Sequence, residues 1–140
     1  MPVTVARLPV AATPMGVDTG LFVPLERGAA RRRLGWREAG HYALLAGARA
    51  NPVKGAKLFD AAVRRASDRL PTLTGVALDG LSRAEVALAF NAADVVVVAS
   101  AHEGSPVTVR ESLACTTPVV AVPVGDVPMV ISGLPGCAIV

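Results

Sequence analysis

The chain has 140 residues, of which just over half are apolar and 18% are charged. That length and composition suit one domain with a single core and exclude a disordered chain. No apolar run reaches the roughly eighteen residues needed to span a bilayer. The net charge of +3 rests mostly on arginine.

The opening stretch MPVTVARLPVAATP carries Arg7 inside a mild apolar run and makes a poor signal peptide. The chain therefore reads as soluble and cytoplasmic. Next comes ERGAARRRLGW, rich in helix formers, with the run Arg31-Arg32-Arg33. With few aromatics to stack bases, that run reads as a solvated helix face and implies no nucleic-acid partner. Continuous apolar runs predict strands at His41–Ala46, Asp94–Ser100 and Pro118–Val124, with weaker ones at Thr72–Leu78 and Cys137–Val140.

Helical patterns lie between the strands. From Ala56 to Leu70, the residues Phe59, Ala62, Val63, Ala66 and Leu70 keep the three-and-four spacing of one apolar face. Ser82 and Glu85 form a capping box for a helix running to about Asn91. Ser105 and Pro106 suggest a hydroxyl N-cap followed by proline at the first helical position, for a helix to about Cys115. Thr116-Thr117-Pro118 stops it. Strands alternating with helices, the strands apolar throughout, imply a doubly wound parallel α/β sheet buried on both faces. The two cysteines, Cys115 and Cys137, have no C-x-x-C spacing and no clustered histidine, so buried reduced thiols are expected and no metal site is indicated.

In such a sheet the ligand sits beyond the carboxyl ends of the strands. The loops there are Gly47–Gly55, Asp79–Leu81, Ala101–Ser105 and Gly125–Pro128. In the first, Arg49 and Lys54 stand at or before a helix N-terminus, where the dipole opposes cations. Two readings follow: both point into water, or an anion such as a phosphate sits between them and the backbone N–H groups. In the third loop, Gly104 lets a ligand approach the backbone, and Glu103 and Glu111 offer acceptors for sugar or ribose hydroxyls. The structural alternative is that Glu103 is a surface loop residue and Glu111 pairs with Arg110 or Arg83. His102 is expected to position the Glu103 loop or face solvent, and His41 to be structural.

The segment AHEGSPVTVRESLACTTPVVAVPVGDVPMVI resembles the two-glutamate signature of glycosyltransferase family 4, with Glu103 and Glu111 separated by seven residues. NAADVVVVAS before it, NPVKG and PMGVDTGLFVP upstream resemble further stretches of that family, from about Pro14 to Val140. The resemblance implies the C-terminal, Rossmann-like half of a GT-B fold that holds a UDP-sugar or GDP-sugar donor. It implies that Arg49 and Lys54 neutralise the diphosphate leaving group and that Glu111 accepts ribose hydroxyls. Glu103, with the backbone of Gly104, Ser105, Pro106 and Val107, would hold the sugar, and Gly47 would open the phosphate loop. It also implies retaining hexosyl transfer without a cofactor or metal, Arg49, Lys54 and Glu103 being the catalytic set.

On this reading residues 1–20 lead in from a missing N-terminal acceptor-binding domain. Residues 21–140 are the donor domain, truncated at its C-terminus and inactive alone, the full enzyme having room for peripheral membrane association. Departures from the family pattern are Met15 in place of asparagine, Met129 in place of a late-loop glutamate, and an arginine two residues past Gly47 rather than next to it. Competing expectations are a nucleotide-binding module without catalysis and a GT-B-like sugar-nucleotide epimerase.

Overall fold

A computed structural model of the chain describes Thr13 and residues 15–140. The signal-peptide reading and most of the expected lead-in segment fall on residues 1–12 and 14, outside that range. The described part of the lead-in makes a turn in which the Phe22 N–H donates to the Asp18 carbonyl, and the Phe22 ring is buried in the core.

The elements follow in the order α1 (Arg27–Leu34), β1 (His41–Leu45), a single 3-10 turn (Pro52–Lys54), α2 (Ala56–Ser67), β2 (Leu73–Ala77), α3 (Arg83–Ala92), β3 (Val95–Val98), α4 (Val107–Ala114), β4 (Val119–Ala121), α5 (Val127–Ile131) and β5 (Ala138–Ile139). All five strands pair in parallel, in the order β2-β1-β3-β4-β5. The sheet is therefore the expected parallel, Rossmann-like α/β sheet, and every predicted strand is present but shorter than expected.

That strand order fixes where the helices go. Right-handed crossovers put the β1-to-β2 connection on one face and all later connections on the other. One face accordingly carries the larger core, in which Leu44, Val96, Val98 and Val119 meet Phe90, Val109, Val127 and Ile131. Among the described residues the opposite face is covered by α2 alone, through Phe59 against Ala43, Leu45 and Ala99. Beyond α2 no other described element lies over the sheet: Leu58, Val97, Val120, Val122 and Val140 line an apolar hollow of ≈160 Å³. The expectation of strands buried on both faces is thus corrected for β3 and β4, where alternate residues are only half-buried. For the same reason Ala62 and Ala66 of the predicted apolar helix face are exposed.

The arginine run needs a second correction. It is helical, but Arg31 is only 5% exposed. Its guanidinium donates to the carbonyls of Ala92, Glu38 and Gly40 and to Asp94 Oδ2, at 2.6–2.9 Å. It fastens α1 to the amino edge of the sheet. Both cysteines are free, as expected, but only Cys115 is buried, its thiol pushed up to about 11 by that burial. No helix among the described residues is long and apolar enough to cross a membrane.

Candidate functional site

The strand order reverses between β1 and β3, so the loops after these two strands flank the switch point at the carboxyl edge, where open α/β sheets form their ligand crevice. Helices α2, α3 and α4 all begin at this edge, each leaving N–H groups that need acceptors. At α3, away from the reversal, Ser82 and Glu85 close the capping box predicted for it. The hydrogen bonds from the Ser82 hydroxyl and N–H hold the Glu85 carboxyl below its usual range. At α2 and α4, flanking the crevice, the N-cap residues are Gly55 and Pro106, which offer no side-chain acceptor.

Between those two helix starts, Lys54 Nζ donates to Glu103 Oε1 at 2.5 Å, both side chains largely shielded from water. Each residue comes from one flank of the crevice. The backbone brings them together: the Ala101 N–H donates to the Val53 carbonyl, and Gly55 (φ 69°) presses on the end of β3 so closely that a Cβ would collide with the Ala99 carbonyl oxygen. Gly47 aims the lysine, whose stem crosses its bare α-carbon; a Cβ there would stand 2.7 Å from Lys54 Cγ.

Arg49 does not join this pair. Its guanidinium meets Asp60 of α2 at 2.6 Å and lies over the Phe59 ring, and its N–H donates to Asp79. It borders a surface depression of ≈400 Å³ with Asn51, Pro52, Gly55 and Lys57. The expected Arg49–Lys54 pair of cations is thus divided: Lys54 turns to Glu103, and Arg49 turns to α2.

Glu111 is 2% exposed, and its Oε1 accepts from Arg83 Nη1 at 2.8 Å, the guanidinium lying over the Phe22 ring. Sequence reasoning named Arg83 and Arg110 as partners for Glu111; the structure selects Arg83. Arg110 goes elsewhere, because adjacent positions on a helix face different directions. Its Nη2 donates to Asp126 Oδ2 at 2.6 Å and its Nη1 to Ser105 Oγ at 2.9 Å. Ser105 Oγ in turn donates to Asp126 Oδ2. The Arg110 contact, foremost, holds the Asp126 carboxyl below its usual range.

Ser105 was expected to cap α4. The structure corrects this: Pro106, extended at ψ 117°, is the N-cap, the helix starts at Val107, and the Ser105 hydroxyl is committed to Arg110 and Asp126. Pro106 is buried and Val107 half-buried, while Gly104 is exposed with open space beside its α-carbon. His102 is exposed, and His41 opens β1 with Nδ1 against Thr72 Oγ1 at 2.7 Å. Met129, where the resemblance implied a glutamate, is 73% exposed on α5. Sequence reasoning missed Asp126 and Gly55 as site-building residues. The available signal was the turn chemistry of Gly125-Asp126 after β4 and of Lys54-Gly55 before α2.

A family model described as glycosyl transferases group 1 matches residues 43–140, more than half of the chain and all of the crevice loops. The chain belongs to that family. It is 30% identical to the D-inositol 3-phosphate glycosyltransferase of Segniliparus rotundus over 88% of its own length and 34% of that protein. It is 33% identical to the enzyme of that name from Mycobacterium leprae, over 83% of its own length and 33% of the relative. The chain thus spans about a third of the length of these curated relatives. Among solved structures, it superposes on the C-terminal domain of a glycosyl transferase group 1 family protein from Francisella tularensis. The TM-score is 0.72 and the identity 24%, covering 89% of this chain and 80% of that one. Sucrose-phosphate synthase from Thermosynechococcus elongatus matches with a TM-score of 0.57 and 22% identity, over 84% of this chain and 36% of that chain. At these identities the structures bear on fold alone, and the fold of this group 1 chain is that of the C-terminal domain of a GT-B glycosyltransferase.

Proposed function

We propose that this chain is the donor-binding part of a retaining glycosyltransferase and holds a nucleoside-diphosphate hexose at the β1/β3 crevice. The observation that carries the reading is the Lys54–Glu103 pair set between two helix starts whose N-caps supply no side-chain acceptor. A diphosphate suits that position: Lys54 and the first N–H groups of α2 and α4 supply fixed positive charge. When the bond between the sugar and the diphosphate breaks, negative charge develops on the leaving diphosphate, and these groups stabilise it without reorganising. A divalent metal is then not required.

Lys54 and Glu103 exchange partners on donor binding. The lysine takes the diphosphate as its counter-ion, and the glutamate is released to accept sugar hydroxyls beside the backbone of Gly104, Ser105, Pro106 and Val107. Glu111 accepts the ribose hydroxyls, steadied by Arg83. Arg49 contributes to the diphosphate only if its side chain leaves Asp60, so its share is smaller than that of Lys54. The acceptor side of the reaction belongs to a further domain, and this chain alone is expected to turn over no substrate, since orientation of two substrates supplies much of such catalysis.

Titration calorimetry with UDP, GDP and their hexose conjugates, with and without EDTA, tests the reading. Binding of at least one nucleoside diphosphate that EDTA leaves unchanged is expected. Strict dependence on Mg²⁺ or Mn²⁺ contradicts the metal-free mode, and no binding of any of the four ligands contradicts the donor site itself.

A further inference from the structure

Next to the Lys54–Glu103 pair stands a second shielded charge cluster with no part in the donor contacts above. Arg110 on α4 and Asp126 after β4 are side by side, with the Ser105 hydroxyl bonded to both. We propose that Arg110 and Asp126 are positioning residues for the donor sugar, clamping the Glu103–Gly104–Ser105 turn onto the loop after β4 so that Glu103 meets its ligand. This rests on the donor reading of the crevice.

The clamp acts on the turn at three points. Ser105 is held by its hydroxyl. The Gly104 carbonyl accepts from the Asp126 N–H at 3.0 Å. Gly125, at φ 54°, lies so close that a Cβ would meet the carbonyl oxygens of both Gly104 and Glu103. Glu103 is thereby caught between Lys54 on the β1 side and a turn fixed from the β4 side. Three loops from three strands meet at the turn that carries Glu103.

Fold stability does not account for the clamp. Strands β3 and β4 are already paired in register through Val96–Val119, Val97–Val120 and Val98–Ala121, and α4 is anchored by the buried Val109. The pair also leaves Asp126 Oδ1 buried with no hydrogen-bond partner among the described residues. A shielded ion pair with an unsatisfied oxygen contributes little net stability, because desolvation offsets its attraction. What it does provide is a fixed geometry for the turn that carries Glu103.

The test uses the full chain, with UDP and UDP-glucose as probes, or GDP and GDP-mannose if guanosine binds better. Arg110→Met, Asp126→Asn and Ser105→Ala are each made alone and in a Glu103→Ala background. Affinities come from calorimetry and folding from thermal melts. In the parent background, Arg110→Met and Asp126→Asn are expected to weaken UDP-glucose by about tenfold or more, displacement of a positioned group being costly. UDP should stay within about twofold. Ser105→Ala, which removes only the bridge, should show a smaller loss in the same direction and serves if the charge variants fail to fold. In the Glu103→Ala background the same substitutions should change UDP-glucose by no more than about twofold, because the group being positioned is gone. Wild-type affinity for UDP-glucose in the clamp variants overturns the clamp while leaving the donor site standing. Equal losses for both ligands that persist without Glu103 also overturn it, since they mean general damage to the edge. So does a Glu103→Ala variant that binds UDP-glucose like the parent. If the parent binds none of the probes, the donor reading and the clamp fall together.

Discussion

The two edges of the sheet carry the same kinds of side chain in different states of commitment. At the amino edge, Asp94 accepts from Arg27, from Arg31 and from the Tyr42 N–H, while Arg31 spends four further or shared bonds on Asp94 and three carbonyls. At the carboxyl edge, Glu103 and Lys54 have one another, Glu111 has one arginine, and the helix starts beside them have no side-chain cap. The first arrangement consumes the hydrogen-bonding capacity of its charges in holding α1 to the sheet. The second leaves acceptors and donors with capacity in hand at the point where the strand order reverses. A buried charge is therefore evidence for a ligand only when its partners do not already satisfy it.

The largest effect that separates the edges is expected for Arg31→Met. Removing one partner from a buried ion pair costs about 3–5 kcal/mol, so urea denaturation should show a steep loss of stability. The fraction that remains folded should bind UDP like the parent. Loss of UDP affinity with stability unchanged would break the division between the edges.

Lys54→Ala is the complementary case. It should cost less stability than Arg31→Met, the pair keeping more contact with water than Arg31 does, and it should weaken UDP and UDP-glucose alike by about 1.5–3 kcal/mol, the worth of a charge-assisted hydrogen bond. Calorimetry beside a denaturation curve reads both. A large stability loss with unchanged affinity would make Lys54 a structural residue like Arg31.

A smaller effect is expected at Thr116, which links α4 to β4 at the amino edge with φ 61°. A β-branched residue in left-handed backbone is strained by about 1–2 kcal/mol, and glycine at that position gives back some of the gain as unfolded-state entropy. Thr116→Gly should therefore stabilise the chain by about 1 kcal/mol in denaturant. Donor affinity should not change, because the substitution lies at the opposite edge from the crevice.

Much of this was legible in the sequence, and what was not has a common cause. Central strands show as apolar runs, so β1, β3 and β4 were plain, and Ser82 with Glu85 marked α3 because a capping box is local in sequence. Lys54, Glu103 and Glu111 were placed on the correct loops and helix by the same alternation. That Lys54 and Glu103 face one another was not visible, since residues 49 positions apart are brought together only through the sheet. Arg31 was misjudged because a charge run says nothing about which member turns inward towards Asp94. That α2 alone among the described elements covers one sheet face followed from strand order, which periodicity does not encode. Ser105 carried a true helix-start signal, but a through-space pair, Arg110 and Asp126, captured its hydroxyl.

The most direct test of the crevice as a donor site is Glu103→Ala titrated with UDP and with UDP-glucose, or with the guanosine pair. In the structure Glu103 is the partner of Lys54, and on the proposed reading it becomes the partner of the sugar when a donor binds. Removing it frees the lysine for the diphosphate and deprives the sugar of its acceptor. The two ligands should respond in opposite senses, with UDP held equally or more tightly and UDP-glucose weakened by about tenfold or more. Equal losses for both ligands would contradict the assignment and would leave the glutamate as a brace for the Lys54 loop.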